Sequence, residues 1–177
     1  MKRFAAAVVL ALVIPVAGCT MSVDAEAGHE KADVKIRTLV GDLLVRTGGD
    51  LPNTGLDVFP GAWPLRERND PPSADVSVGN SLFGVKVAAA KFRSNASHEA
   101  IVEYYRKAMS AYGGVTECRG DVDFKRDHGR VVCRGGLYSR TTQLAVGTED
   151  DHRIVSVKPR ESGSEFSLVY VQTRGES

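Results

Sequence analysis

Ser97-His98-Glu99-Ala100-Ile101-Val102-Glu103-Tyr104-Tyr105-Arg106-Lys107-Ala108-Met109-Ser110-Ala111-Tyr112-Gly113 is the stretch that decides how this 177-residue chain is read. Ile101, Val102, Tyr105, Ala108, Met109 and Tyr112 recur at helical spacing, so they form one apolar stripe. Ser97 is a good N-cap, Glu99 suits the positive N-terminal end of the helix, and Gly113 stands where a chain leaving a helix often turns left-handed. The spacing predicts a helix over about residues 98–112, and its stripe needs a sheet to cover it.

Outward from the helix the pattern changes to short segments of period two. On the N-terminal side these are Asp33 to Thr38, Leu43 to Thr47, Asp75 to Val78 and Phe83 to Phe92; on the C-terminal side, Thr141 to Val146, Arg153 to Lys158 and Phe166 to Thr173. Tight polar turns such as Gly41-Asp42 and Glu149-Asp150-Asp151 separate them, which favours antiparallel pairing. The fold class expected is α+β: a mainly antiparallel β-sheet with one principal α-helix on one face. Within a single domain over 32–174, we expect an N-terminal hairpin at 33–47, a proline-rich loop at 48–74 and a core at 75–173. Trp63, the only tryptophan, lies between Pro60 and Pro64 and reads as a loop anchor packed on the core, with a binding platform as the alternative.

The N-terminus is built like an export signal. Met1-Lys2-Arg3 is positive, and Phe4 to Val16 is an apolar run broken only by Pro15. That run is too short to cross ~30 Å of hydrocarbon. It leads into Val16-Ala17-Gly18-Cys19, which resembles the lipobox of bacterial lipoproteins; the plain alternative is an ordinary secretory signal cut near Ala17. The resemblance implies a signal peptide over 1–18, cleaved before Cys19, with a diacylglyceryl thioether on Cys19 and an acylated amine, palmitate among the acyl groups. Two or three long chains make such an anchor effectively permanent. It also implies the cell envelope as location. Because Thr20 is not Asp, the outer membrane, periplasmic side, is expected in a host with two membranes. Thr20 to Lys31 shows no useful period and reads as a flexible tether of at most ~40 Å. Loss of Lys2 and Arg3 takes the formal charge from +1 to −1, so no basic excess points to nucleic acid.

With Cys19 assigned to lipid, Cys118 and Cys133 remain as a pair in an exported chain, which reads as a disulfide between neighbouring strands. The alternative, a metal or redox site, lacks a Cys-x-x-Cys motif and any histidine at ligand spacing. Val58-Phe59-Pro60-Gly61-Ala62, Ala90-Lys91-Phe92-Arg93-Ser94 and Ile101 to Tyr105 together resemble exported bacterial proteins of unknown function. That likeness covers about residues 56–173 and implies no activity.

No converging catalytic set is visible: the chain has no Gly-x-Ser-x-Gly, Ser-x-x-Lys or phosphate-cradling glycine loop. Leu51-Pro52-Asn53-Thr54-Gly55 matches a sortase signal in letters but lies far from the C-terminus. Asp121-x-Asp123-x-x-x-Asp127 lacks the central glycine and closing Glu of a calcium loop. His29, His98, His128 and His152 are scattered, so neither a metal site nor a cofactor is expected. Trp63, Arg134, Arg153 and His152 are the candidate binding residues, the arginines for an anionic glycan or head group. The reading is a membrane-anchored, non-catalytic binding or scaffold module with an envelope protein or glycan as partner. The alternative is an envelope hydrolase with a dispersed site that includes His152 and Asp151.

Overall fold

The computed structural model describes residues 20–24, 32–38, 41–48, 51–66, 72–125, 130–134 and 139–175. The signal segment, Cys19 and 25–31 lie outside the described residues. In chain order the elements are strands β1 (Thr20–Asp24), β2 (Ala32–Thr38), β3 (Gly41–Thr47), β4 (Trp63–Pro64), β5 (Ser73–Gly79) and β6 (Gly84–Ser94), then helix α1 (His98–Met109). Strands β7 (Thr116–Arg119), β8 (Asp121–Lys125), β9 (Arg130–Arg134), β10 (Thr142–Gly147), β11 (Asp151–Pro159) and β12 (Ser164–Arg174) follow. The expected α+β fold is what the chain adopts.

The main sheet runs β1-β2-β3-β5-β6-β12-β11-β10-β7, with β4 pairing the far end of β6. Every pairing is antiparallel. The helix carries the chain from the centre of the sheet to its far edge. The strands after it fill inward until β12 lies along β6, in register from Ser164 opposite Ser94 to Arg174 opposite Gly84. A separate two-stranded ribbon joins β8 and β9.

The helix forms where the sequence placed it. Ser97 Oγ accepts the Ala100 N–H at 3.2 Å, as an N-cap does. The α-helix stops at Met109, and the last predicted turn, Ser110–Tyr112, tightens to 3-10 before Gly113 turns at φ 133°. Ile101, Val102, Tyr105 and Met109 are buried against Phe92, Leu144, Val146, Val155, Val157, Phe166 and Leu168. Phe92 stacks on Phe166 with centroids 5.3 Å apart, and Tyr105 tilts onto Phe166 at 5.6 Å.

Part of the long loop packs over the helix. Phe59-Pro60-Gly61-Ala62 is a tight turn: Gly61 sits at φ 75° and the Ala62 N–H reaches the Phe59 carbonyl at 3.0 Å. Proline followed by glycine is the pair such a turn requires. Phe59 meets the edge of Tyr104 at 5.1 Å, and Tyr105 Oη accepts the Phe59 N–H at 3.0 Å while donating to the Asp57 carbonyl at 3.2 Å. Phe59 therefore anchors the loop where Trp63 was expected to. Trp63 is 42% exposed and pairs with Arg93 at the end of β6.

Two further expectations are corrected. Thr20–Asp24 is not tether but edge strand, with Met21 opposite Ile36 and Val23 opposite Val34. Five residues were too few to show a period without their partner. Cys118 and Cys133 are bonded, with Cα atoms 5.3 Å apart, but their strands are not hydrogen-bonded neighbours. The bond ties edge strand β7 to β9 of the ribbon, because the turn-rich stretch between them contains β8, which takes the place beside β9.

Burial pushes the Tyr105 hydroxyl well above its ordinary value, against the opposing effect of the Phe59 N–H. A raised folded-state pKa means stability is complete below the unfolded pKa of about 10 and lost as pH rises beyond it. Tyr105→Phe, which keeps the ring and removes both loop bonds, should cost about 1–2 kcal/mol in urea unfolding at pH 7. It should also flatten the alkaline loss of stability.

Candidate functional site

Alternation along the strands gives the sheet two faces of different character. The face under α1 carries the core. The other face carries Leu43, Val78 and Val85 in one cross-strand row and Val45, Val76, Val87 and Val171 in the next, followed by Ala74, Ala89 and Val169. All of these residues are partly solvent-exposed, and Val78 and Val85 are 37% and 38% exposed. Among the described residues no helix or ribbon covers this part of the sheet. Contiguous exposed apolar surface on a folded domain marks an interaction site.

The ribbon lies over the β7, β10 and β11 part of that face. Val122 N–H donates to Gln143 Oε1 at 3.0 Å, and Gln143 Nε2 donates to Asp121 Oδ1 at 3.3 Å. Phe124 stacks on His152 with centroids 4.0 Å apart. Beneath lie Cys118 and Ala145, both buried. The disulfide and the Gln143 bonds hold the ribbon over β10 and β11, and the apolar surface begins where the ribbon ends.

Of the sequence candidates, His152 and Arg153 are occupied within the fold. His152 Nδ1 lies 3.0 Å from the carbonyls of Thr148 and Glu149, so it carries the proton and donates to the backbone. Asp151 and His152 are successive strand residues and point to opposite faces, so they cannot converge on one substrate. Arg153 lies between two rings, its guanidinium carbon 3.8 Å from the Tyr112 centroid and 4.5 Å from that of Tyr170. Its Nη1 is 3.3 Å from Asp151 Oδ1. Tyr112 donates to the Gly55 carbonyl, so this cation–π stack ties the end of the helix segment to the loop. Gly55, at φ 75°, leaves room for Arg153 Nε, which a Cβ would approach to 3.0 Å. The Leu51–Gly55 run thus serves as a structural turn.

Arg134 pairs with Asp123 at 2.6 Å and is 71% exposed. It sits on the ribbon, apart from Arg153 on the helix face. Trp63 stands opposite Arg93, on the face away from the helix. The four candidates are not brought together. Among the described residues no cluster of His, Cys, Asp and Glu could hold a metal ion.

One cleft was not foreseen. An open space of about 650 Å³ lies between the N-terminal half of α1 and strands β7 and β10, lined in part by His98, Arg106, Glu117, Arg119 and Arg140. His98 Nε2 is shut off from solvent there without a partner among the described residues. The charges are largely matched: Arg106 bridges Glu103 and Glu117, and the Glu117 bond holds its guanidinium above the ordinary value. The Glu99 backbone N–H holds the Glu99 carboxyl below its ordinary value. Ser139, also on the cleft, is bonded to the Thr141 backbone rather than to His98, so no nucleophile–base pair is assembled.

Comparison of the chain with protein families, characterised proteins and solved structures returns no match.

Replacing both Cys118 and Cys133 with Ser should lower stability by on the order of 3 kcal/mol, as expected for freeing a loop of this length. It should also release the ribbon, read as faster hydrogen exchange at Ala145 and Ile154. Unchanged exchange there would mean that the Gln143 bonds alone hold it.

Proposed function

We propose that the chain is a membrane-anchored envelope lipoprotein whose folded part is a non-catalytic binding module. Cys19 carries the lipid, and the domain presents the apolar rows of β3, β5, β6 and β12 to another envelope component. The observation that carries this reading is the uncovered sheet face itself. Removing such residues from water contributes about 25 cal/mol per Å², and a soluble domain rarely leaves so continuous a patch without a partner. The alternative hydrolase loses its support in the geometry, since His152 and Asp151 diverge and His98 faces no nucleophile.

The anchor reading rests on the ordered signal elements before Cys19, and the outer membrane, periplasmic side, follows from Thr20 in a host with two membranes. The corrected strand β1 changes how the anchor acts. The sheet begins at Thr20, one residue after the lipid, so the domain rests at the membrane surface instead of trailing on a leash.

Cys19→Ala should move the exported protein from the detergent phase to the aqueous phase on Triton X-114 partitioning. Partitioning like the wild type would overturn the lipid assignment. For the binding face, a photo-crosslinking residue at Val76 should capture an envelope component in the native host, whereas the same residue at Lys107, on the exposed side of α1, should not. Equal capture from both positions would count against the sheet face as the binding surface.

A further inference from the structure

Among the described residues, four exposed apolar side chains, the most exposed of all included, are gathered at one end of the sheet. Leu82 is 82% exposed and Phe83 46%, and both stand on the turn between β5 and β6, flanked by Val78 and Val85. The turn is closed on itself. Asn80 Oδ1 accepts the N–H groups of Leu82 and Phe83 at 2.8 and 2.9 Å, and the Asn80 N–H reaches the Phe83 carbonyl at 2.7 Å. Dehydrating this tip therefore strands none of these three backbone donors, which is the usual cost of placing a loop against hydrocarbon.

The register shows what lies beside it. Thr20 is opposite Arg37, Arg37 opposite Asp42, Asp42 opposite Gly79, and Gly79 opposite Gly84. The residue that follows Cys19 and the Leu82–Phe83 tip thus leave the sheet at the same end, three to four strand spacings or about 14–19 Å apart. Arg174, whose guanidinium lies over Gly84, is at this end with Lys86, as is Asp42.

We propose that the Leu82–Phe83 turn is a second membrane contact: it inserts into the interfacial layer of the bilayer that holds the Cys19 lipid and fixes the orientation of the domain on that surface. This rests on the lipid-anchor reading above. Leu82 and Phe83 supply the apolar insertion, and Arg174 and Lys86 meet lipid phosphates at the rim. With the lipid and the turn as two points of attachment, the sheet stands end-on to the membrane. The rows Val45-Val76-Val87-Val171 and beyond are then held away from the lipid.

The test uses the full lipidated protein reconstituted into vesicles of phosphatidylethanolamine and phosphatidylglycerol that contain a lipid carrying a nitroxide near the head group. Leu82→Cys supplies the only free thiol and takes an environment-sensitive fluorophore. Ser162→Cys, on the turn at the opposite end of the sheet, is the control. Several-fold stronger quenching at position 82 than at position 162 is expected. Equal quenching, with the protein still floating with the vesicles, overturns the membrane contact and leaves the anchor intact. A blue-shifted but unquenched fluorophore at position 82 assigns the turn to a protein neighbour and likewise overturns it. Failure to float overturns the anchor and, with it, this proposal.

Discussion

The pairing of β6 with β12 is the constraint from which the rest of the molecule follows. Eleven residues of each strand lie in register, and they are the longest strands of the sheet. Everything before the helix hangs from one side of this pair, and everything after it from the other. The Phe92–Phe166 stack sits on it, and Tyr105 of the helix closes over that stack. The hydroxyl of Tyr105 then holds the Asp57–Phe59 loop, so one contact chain runs from the centre of the sheet through the helix to its outer cover.

Much of this architecture is legible in the sequence because local and tertiary preferences agree there. Ser97, the stripe from Ile101 to Met109 and Gly113 mark the helix almost to the residue. The hairpin strands on either side of Glu149-Asp150 are bounded by turn residues, whereas Gly41 and Asp42, read as a turn, instead open β3 opposite Thr38 and Arg37. What the sequence does not show depends on partners distant along the chain. Thr20–Asp24 becomes a strand only because β2 offers an edge. That Asp121–Lys125 forms a strand depends on β9 beside it, and its side chains reach Gln143, Arg134 and His152, all outside the segment.

The same reasoning explains the candidate residues. Trp63 reads as the anchor because it is a lone aromatic between prolines, but proline and glycine at positions 60 and 61 turn the chain so that Phe59 faces the helix and Trp63 does not. Asp151 and His152 looked like an acid–base pair because they are adjacent, and adjacency in a strand is what separates them. Arg153 was singled out for its charge, yet two tyrosines hold it within the fold. The valines of β5, β6 and β12 were legible as one face of a strand. That nothing covers them could be seen only once the helix and the ribbon were both accounted for elsewhere.

The central position of β12 sets the order in which the molecule can be completed. The strand that joins the two halves is made after every other strand among the described residues, so until Ser164–Arg174 arrives, β6 and β11 each present a bare edge with apolar residues on it. Unpaired edges of this kind recruit other chains. A chain without Ser164–Arg174 would not lose an appendage; it would become two half-sheets seeking substitutes for the missing strand.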